Sequence, residues 1–114
     1  NGLQYRDFVY IDDVVNAILK ILKSKKTNGE IINIGSGKPL RIKELIKKIC
    51  LIVGAGKPVF GKVKMRKDET MVLYPNIQKA KKILNWRPKI SLNDGLKKTI
   101  QYYKNEKFTN NFKR

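Results

Sequence analysis

The sequence contains no histidine and a single cysteine, Cys50. Histidine and cysteine are the usual ligands of structural zinc, and histidine is the most frequent general acid or base in enzymes. Their scarcity excludes the common zinc sites and histidine-based catalysis, and one cysteine excludes an internal disulfide. Because a lone cysteine is typical of proteins from a reducing compartment, we expect a cytoplasmic location.

Long apolar runs are also missing. No run approaches the roughly 20 residues that a membrane-spanning helix needs, and the first ten residues carry charge where a secretory signal needs an apolar stretch. The sequence therefore predicts neither a membrane segment nor a signal peptide. Its 114 residues amount to one domain at most, and 41% apolar residues suffice for a modest core. The chain begins with Asn1 rather than methionine, and we expect it to be part of a longer protein.

Acidic residues are scarce. Twenty-six Lys and Arg stand against nine Asp and Glu, which gives a net charge of +17. This excess favours anionic partners such as nucleic acid, acidic membrane surfaces or phosphorylated small molecules. Most of the charge is lysine on the polar sides of predicted helices, a pattern typical of a solvated surface. The sequence lacks an aromatic-rich RNA-binding signature and a base-reading helix, so nucleic acid is the less favoured partner.

Strand-like and helix-like segments alternate, which predicts an α/β fold of short strands and about four helices. Strands are predicted at residues 3–11 and 30–34, with a weaker edge strand at 59–65. The helices are indicated by apolar residues at helical spacing within 14–22, 42–53, 77–84 and 92–103. Residues 1–104 are expected to form the domain, and the polar residues 105–114 a frayed tail.

Several residues next to these helices have predicted local roles. Asp13 is expected to cap the first helix, and Ser91 with Asp94 to form a capping box at the last one. Trp86 is expected to pack the last two helices together.

Four segments, in order, resemble the NAD-dependent epimerase/dehydratase family, which consists of extended short-chain dehydrogenases/reductases that modify nucleotide sugars. These segments read RDFVYIDDVV at 6–15, INIGSG at 32–37, RKDE at 66–69 followed by IQKAKK at 77–82, and LNWRP at 84–88 followed by SL at 91–92 and GL at 95–96. The resemblance covers nearly the whole chain. Asn85 stands where the family commonly has glycine, and because asparagine tolerates the left-handed conformation the turn there is expected to survive. The resemblance implies the carboxy-terminal, nucleotide-sugar-binding part of an enzyme whose amino-terminal Rossmann domain holds NAD(P). It also implies that a helix and strand near 13–35 can belong to that Rossmann domain.

The resemblance implies roles for four residues. Arg6 and Arg66 fall where family members place arginines against the substrate's diphosphate. The forked, permanently charged guanidinium group suits phosphate oxygens. Glu69 falls on the position of an acidic residue that accepts hydrogen bonds from ribose hydroxyls, and Gln4 is expected beside the nucleotide or sugar. Purely local alternatives are an ion pair of Arg6 with a neighbouring aspartate, and one between Arg66 and Glu69.

The family's catalytic features have no counterpart in the matched segments. No glycine-rich dinucleotide turn joins a strand to a helix, so we expect no cofactor-binding residue in this chain. The family's Tyr-x-x-x-Lys pair is expected upstream. The only such spacing here, Tyr103 with Lys107, lies at the carboxy-terminal end, beyond the last matched segment. We therefore expect no catalytic or metal-binding residue, and a chain that is not catalytic alone.

The reaction of the intact enzyme stays open between epimerisation, dehydration and reduction, each beginning with NAD(P) and a nucleotide-sugar substrate. Two other functions also stay open. The chain could be a small basic nucleic-acid-binding module. It could also be a dimerisation piece, since a fragment separated from its Rossmann domain would expose apolar helix faces that favour a homodimer.

Overall fold

The computed structural model describes residues 1–105 of the 114-residue chain. Within them lie four α-helices, α1 (Ile11–Leu22), α2 (Ile42–Val53), α3 (Gln78–Leu84) and α4 (Leu92–Asn105). The strands are β1 (Tyr5–Arg6), β2 (Leu40–Arg41) and β3 (Val72–Leu73), and a 3₁₀ turn covers Lys25–Thr27. The predicted α/β class and the four predicted helices are confirmed. Apart from Asn105, which ends α4, the predicted tail lies outside the described residues.

The sheet is small and has β1 at its centre. Its strand order is β2-β1-β3, with β2 antiparallel and β3 parallel to β1. Arg6 lies opposite Leu40 on one side and Leu73 on the other. Because β1 is the shared neighbour, residues from the first tenth of the chain lie beside residues from its middle.

Two predicted strands differ from the structure. Of residues 3–11, only Tyr5–Arg6 pair with other strands, and α1 already begins at Ile11. Residues 59–65, all of them described, form no strand, whereas β3 forms in the neighbouring stretch that looked irregular. Strand propensity is expressed only where another backbone supplies a ladder, and here β1 supplies it to Val72–Leu73.

The prediction of a buried strand at 30–34 is wrong for the described part of the chain. These residues have no strand partner among residues 1–105. Ile31 is 85% exposed. Ile32 and Ile34 alternate with it and pack against the core. Ile32 and Ile34 are therefore covered, whereas Ile31 is not.

The core lies between α1 and α3. It contains Ala17 of α1, Ala80 and Leu84 of α3, and Trp86 just after α3. The indole Nε1 of Trp86 donates a hydrogen bond to the backbone oxygen of Asp13 at 3.1 Å. The expectation that Trp86 joins the last two helices is therefore corrected: it joins α3 to α1.

Asp13 does not cap α1. It lies inside the helix and is buried, with 5% of its surface exposed. Its two carboxylate oxygens accept hydrogen bonds from the backbone N–H groups of Lys89 and Ile90, at 3.0 and 2.9 Å. The side chain thus holds a segment 76 residues away instead of its own helix terminus. Burial of a carboxylate is tolerated when such donors satisfy it.

The left-handed turn at Asn85 is confirmed. The predicted capping box is confirmed only for the Ser91 side chain, because the Asp94 carboxylate bonds the Ser91 hydroxyl and not its backbone N–H. The Ser91 hydroxyl accepts a hydrogen bond from the Asp94 N–H at 3.1 Å and donates one to the Asp94 carboxylate at 2.5 Å. Asn85 follows α3 with φ 45°, in the left-handed region. Both features depend on residues within a few positions of each other, which is why the sequence predicts them.

One side of α1 is apolar and uncovered. The side chains Ala17 and Ile21 face the core. Five apolar residues of α1 are exposed, and one of them is Leu19. The other four follow one another at intervals of four, three and four positions and are Ile11, Val15, Ile18 and Leu22. This spacing places them in one line along the helix, here named the α1 stripe.

Every helix within residues 1–105 is too short or too polar to cross a bilayer. In the same part of the chain, no group of three or more His, Cys, Asp or Glu side chains is placed to hold a metal ion.

Candidate functional site

Arg6 and Glu69 form an ion pair at the sheet. The Nη2 of Arg6 contacts Glu69 Oε1, and its Nη1 donates a hydrogen bond to the Tyr5 backbone oxygen at 2.7 Å. Both side chains are about three-quarters buried, at 25% and 23% exposure. The guanidinium group is therefore held from two sides, and its remaining N–H groups are available to another acceptor.

Arg66 lies on the turn that carries Glu69. The Glu69 N–H donates to the Arg66 backbone oxygen at 3.3 Å, which closes the turn. The Arg66 side chain is exposed, and within residues 1–105 it forms no ion pair. Neither local alternative is observed: Glu69 pairs with Arg6 rather than with Arg66, and Arg6 does not pair with an aspartate.

Gln4 precedes this pair on β1's amino-terminal side. Its backbone oxygen accepts a hydrogen bond from the Ile42 N–H at 3.0 Å. Its side-chain Oε1 is buried and has no hydrogen-bond partner among the described residues. A buried acceptor without a donor is costly in a folded protein, and no described residue supplies that donor.

The arrangement suits a multiply charged anion with hydroxyl groups nearby. One oriented guanidinium group and a second, exposed one lie on two segments that the Arg6–Glu69 pair joins. Guanidinium groups bind phosphate oxygens through paired N–H donors. The second carboxylate oxygen of Glu69 is left as an acceptor for a hydroxyl group. In chemical terms, these side chains are suited to binding and orienting an anion, and the ones named here, all within residues 1–105, include no acid–base pair.

Sequence reasoning did not assign a role to Asp7. Its carboxylate accepts hydrogen bonds from the Ser36 hydroxyl and, at 2.9 Å, from the Gly37 N–H. A side chain at Gly35 would come within 2.5 Å of Asp7 Oδ2 and 2.3 Å of Pro75 Cγ, so only glycine fits there. The signal was available, because a carboxylate next to Arg6 and a Gly-Ser-Gly loop are complementary in hydrogen bonding.

Comparison with known proteins identifies the family. The family described as GDP-mannose 4,6 dehydratase matches residues 1–99. A UDP-glucuronate 4-epimerase of Thermodesulfobacterium geofontis is 39% identical over 105 residues, which cover 91% of this chain and 32% of that protein. A human dTDP-D-glucose 4,6-dehydratase is 37% identical over 121 residues, covering 96% of this chain and 32% of the human protein.

Solved structures agree. The UDP-glucose 4-epimerase of Thermotoga maritima, solved with UDP-glucose, superimposes with a TM-score of 0.82 at 36% identity, over 92% of this chain and 33% of that one. The UDP-glucuronic acid 4-epimerase of Bacillus cereus, solved with UDP-glucuronic acid and NAD, gives 0.80 at 34% identity, with the same two coverages. The chain thus spans about a third of the length of these relatives. With this match in sequence and fold, the chain belongs to the NAD-dependent epimerase/dehydratase family.

Proposed function

We propose that this chain is the substrate-binding part of a longer nucleotide-sugar epimerase or dehydratase, and that it holds the nucleoside diphosphate end of the substrate. The observation that carries the proposal is the contact between Arg6 and Glu69. It fastens the turn bearing Arg66 to strand β1, so both arginines are presented by one connected unit. Two relatives solved with UDP-glucose and with UDP-glucuronic acid support a substrate of this class.

Each residue has a distinct part in the proposal. Arg6, oriented by Glu69 and by the Tyr5 backbone, binds one phosphate, and the exposed Arg66 binds the other. Glu69 uses Oε1 for Arg6 and its other oxygen for a ribose hydroxyl. The unpartnered Oε1 of Gln4 accepts a hydrogen bond from the nucleotide or sugar. Gripping the unreactive end of a substrate supplies the positioning on which the chemistry at the sugar depends.

The dinucleotide does not fit the described residues. The only glycine-rich loop after an extended segment is 35–37, and its Gly37 N–H is already bonded to Asp7. NAD(P), which supplies reversible hydride transfer when bound, belongs in our proposal to the rest of the protein. The single free cysteine, Cys50, fits a cytoplasmic enzyme.

We further propose that the α1 stripe packs on an amino-terminal Rossmann domain of the same protein. The α1 stripe lies roughly 100° around the helix from the residues that face the core, and an apolar face this wide is normally buried throughout. Here Leu22 is 77% exposed and Ile31, on the extended segment after α1, is 85% exposed. The relatives are about three times as long as this chain, so they contain enough residues for such a domain. In this proposal the exposed Ile31 also packs against that domain.

Calorimetric titration of the full chain with UDP, dTDP, GDP and CDP tests the function. We expect one of these to bind saturably, and Arg6→Lys and Arg66→Gln each to weaken it about tenfold, because lysine lacks the fork and glutamine the charge. Arg87→Gln, an exposed arginine elsewhere, is the matched control. A folded chain that binds none of them, or binds equally well in both variants, would overturn the proposal.

The net charge of +17 keeps a nucleic-acid-binding function as the second candidate. This function can be distinguished from nucleotide-sugar binding by its dependence on salt. Binding to duplex DNA would weaken steeply with salt, in proportion to the phosphates neutralised, and would not be lost in Arg66→Gln.

A further inference from the structure

A cleft lies beside the loop that the Asp7 carboxylate binds. It has a volume of about 510 Å³ and separates the Ser36–Lys38 loop from the segment Tyr74–Gln78, with Lys81 of α3 at its edge. Arg6 contacts Glu69, whereas Asp7 contacts the Ser36–Lys38 loop. Arg6 and Asp7 thus bind two different segments of the chain, and the cleft is not part of the site proposed for the nucleotide.

The walls of the cleft are fixed against each other. Gly35 lies so close to Pro75 that an added side-chain carbon would come within 2.3 Å of its ring. The Ile77 side chain would lie 3.2 Å from such a carbon at Gly37, which has φ +68°. Asp7 holds the loop through Ser36 and Gly37. The cleft is therefore preformed, which lowers the cost of binding a ligand in it.

The lining contains no acidic side chain, and the Ser36 hydroxyl and the Gly37 and Lys38 N–H groups are already used as donors within the loop. Lys38 and Lys81 line it together, and neither forms an ion pair within residues 1–105. Lys81 is half-buried, which makes an uncompensated charge there more costly than on an open surface. The Asn76 Oδ1 already accepts the Gln78 N–H at 2.9 Å, so Asn76 has its amide N–H₂ group left to offer.

Asp7 does not remove this excess of positive charge. Both of its oxygens are occupied by Ser36 and Gly37 on the loop itself. Its single negative charge offsets at most one of the two lysines. An anion in the cleft would lie beside two lysines and the Asn76 side chain.

We propose that this cleft binds a phosphate-type oxyanion, either free phosphate or the phosphomonoester of a small molecule. A phosphate group carries close to two negative charges at neutral pH and several acceptor oxygens. It therefore matches two lysines and neighbouring neutral donors, and lysine binds phosphate as a point charge without demanding a planar geometry.

The test is an NMR titration of the full ¹⁵N-labelled chain with inorganic phosphate and with a sugar phosphomonoester, both at constant ionic strength. We expect saturable shifts of the backbone amides of Gly37, Lys38, Gln78 and Lys81. The double variant Lys38→Gln/Lys81→Gln should weaken binding at least about tenfold, since both charge-assisted contacts are lost. The control Lys47→Gln/Lys57→Gln removes the same charge from exposed positions outside the cleft and should leave it unchanged.

Each outcome either distinguishes free phosphate from a phosphorylated small molecule or contradicts the proposal. Markedly tighter binding of the phosphomonoester identifies a phosphorylated small molecule, and equal binding identifies free phosphate. Shifts that do not saturate, or that persist in the Lys38/Lys81 variant, overturn the proposal. Arg66→Gln, which tests the nucleotide site, should leave the response of this cleft intact, so failure of one site is distinguishable from failure of the other.

Discussion

Arg6 and Glu69 are 63 positions apart in the chain and form an ion pair that links strand β1 to the turn at Arg66. This contact determines where the proposed diphosphate site lies. Without it, the long connection from α2 to β3 would have no charged attachment to β1. The pair also restricts Arg6 to one orientation before any ligand arrives, which reduces the entropy lost on binding.

Replacing Glu69 with glutamine tests whether this pair prepares the site. We expect Glu69→Gln to lower the affinity for the preferred nucleoside diphosphate about tenfold, because the Arg66 turn loosens and a charged acceptor is lost. The free energy of unfolding should fall by only about 1 kcal/mol, since the pair is partly exposed. Calorimetry and urea unfolding measure the two effects, with the exposed Glu44→Gln as control. Tighter binding would mean that Glu69 competes with the diphosphate for Arg6.

The buried carboxylate of Asp13 should be a major contributor to stability. In Asp13→Asn one of the two oxygens becomes an N–H₂ group facing a backbone N–H of Lys89 or Ile90. We expect a loss of about 1–3 kcal/mol of unfolding free energy. Its neighbour Asp12 is exposed and makes only a distant contact with Lys98, at 3.8 Å. Asp12→Asn should cost under about 0.5 kcal/mol. Equal losses in the two variants, measured by urea unfolding, would contradict the assignment.

The α1 stripe should make the chain self-associate when no larger domain covers it. We expect sedimentation velocity to show concentration-dependent association of the chain, and Ile18→Gln/Leu22→Gln to abolish it without lowering the unfolding free energy. Leu51→Gln, at another exposed apolar residue, is the control and should have no effect. Association that persists in the stripe variant would place the interface elsewhere. Association through this stripe would also explain a dimer of the chain without implying one for a longer enzyme.

Gly35 should tolerate substitution worse than a glycine with a left-handed backbone. Gly35→Ala places a carbon within 2.5 Å of both Pro75 and Asp7 and should cost about 1–3 kcal/mol through overpacking. Gly29 has φ +73° but open space around it, so Gly29→Ala should cost only about 1 kcal/mol. Thermal or urea unfolding of the two variants ranks them. The opposite ranking would show that the loop moves easily and that the cleft between this loop and Tyr74–Gln78 is not preformed.

Features that depend on neighbours in sequence were predictable. The four helices follow from apolar residues three and four positions apart, and the Ser91–Asp94 box and the left-handed Asn85 follow from side chains near their own backbone. The family resemblance was also recognisable from the sequence, because the matching segments keep their order and spacing along the chain. The sequence by itself therefore determined the helical framework, the α/β class and the family.

Tertiary structure decided the rest, because the deciding contacts join residues that are distant in sequence. No residue close to Asp13 in sequence indicates that its carboxylate binds residues 89 and 90. Likewise, no residue close to Trp86 in sequence indicates that its partner is α1. Strand formation at Val72–Leu73 rather than at 59–65 depends on which segment reaches β1. The family resemblance proposes Glu69 as a site residue, but nothing in the sequence indicates that it pairs with Arg6. Helical signals are local, whereas sheet pairing and ion pairing require two segments to meet, and only the folded path of the chain brings them together.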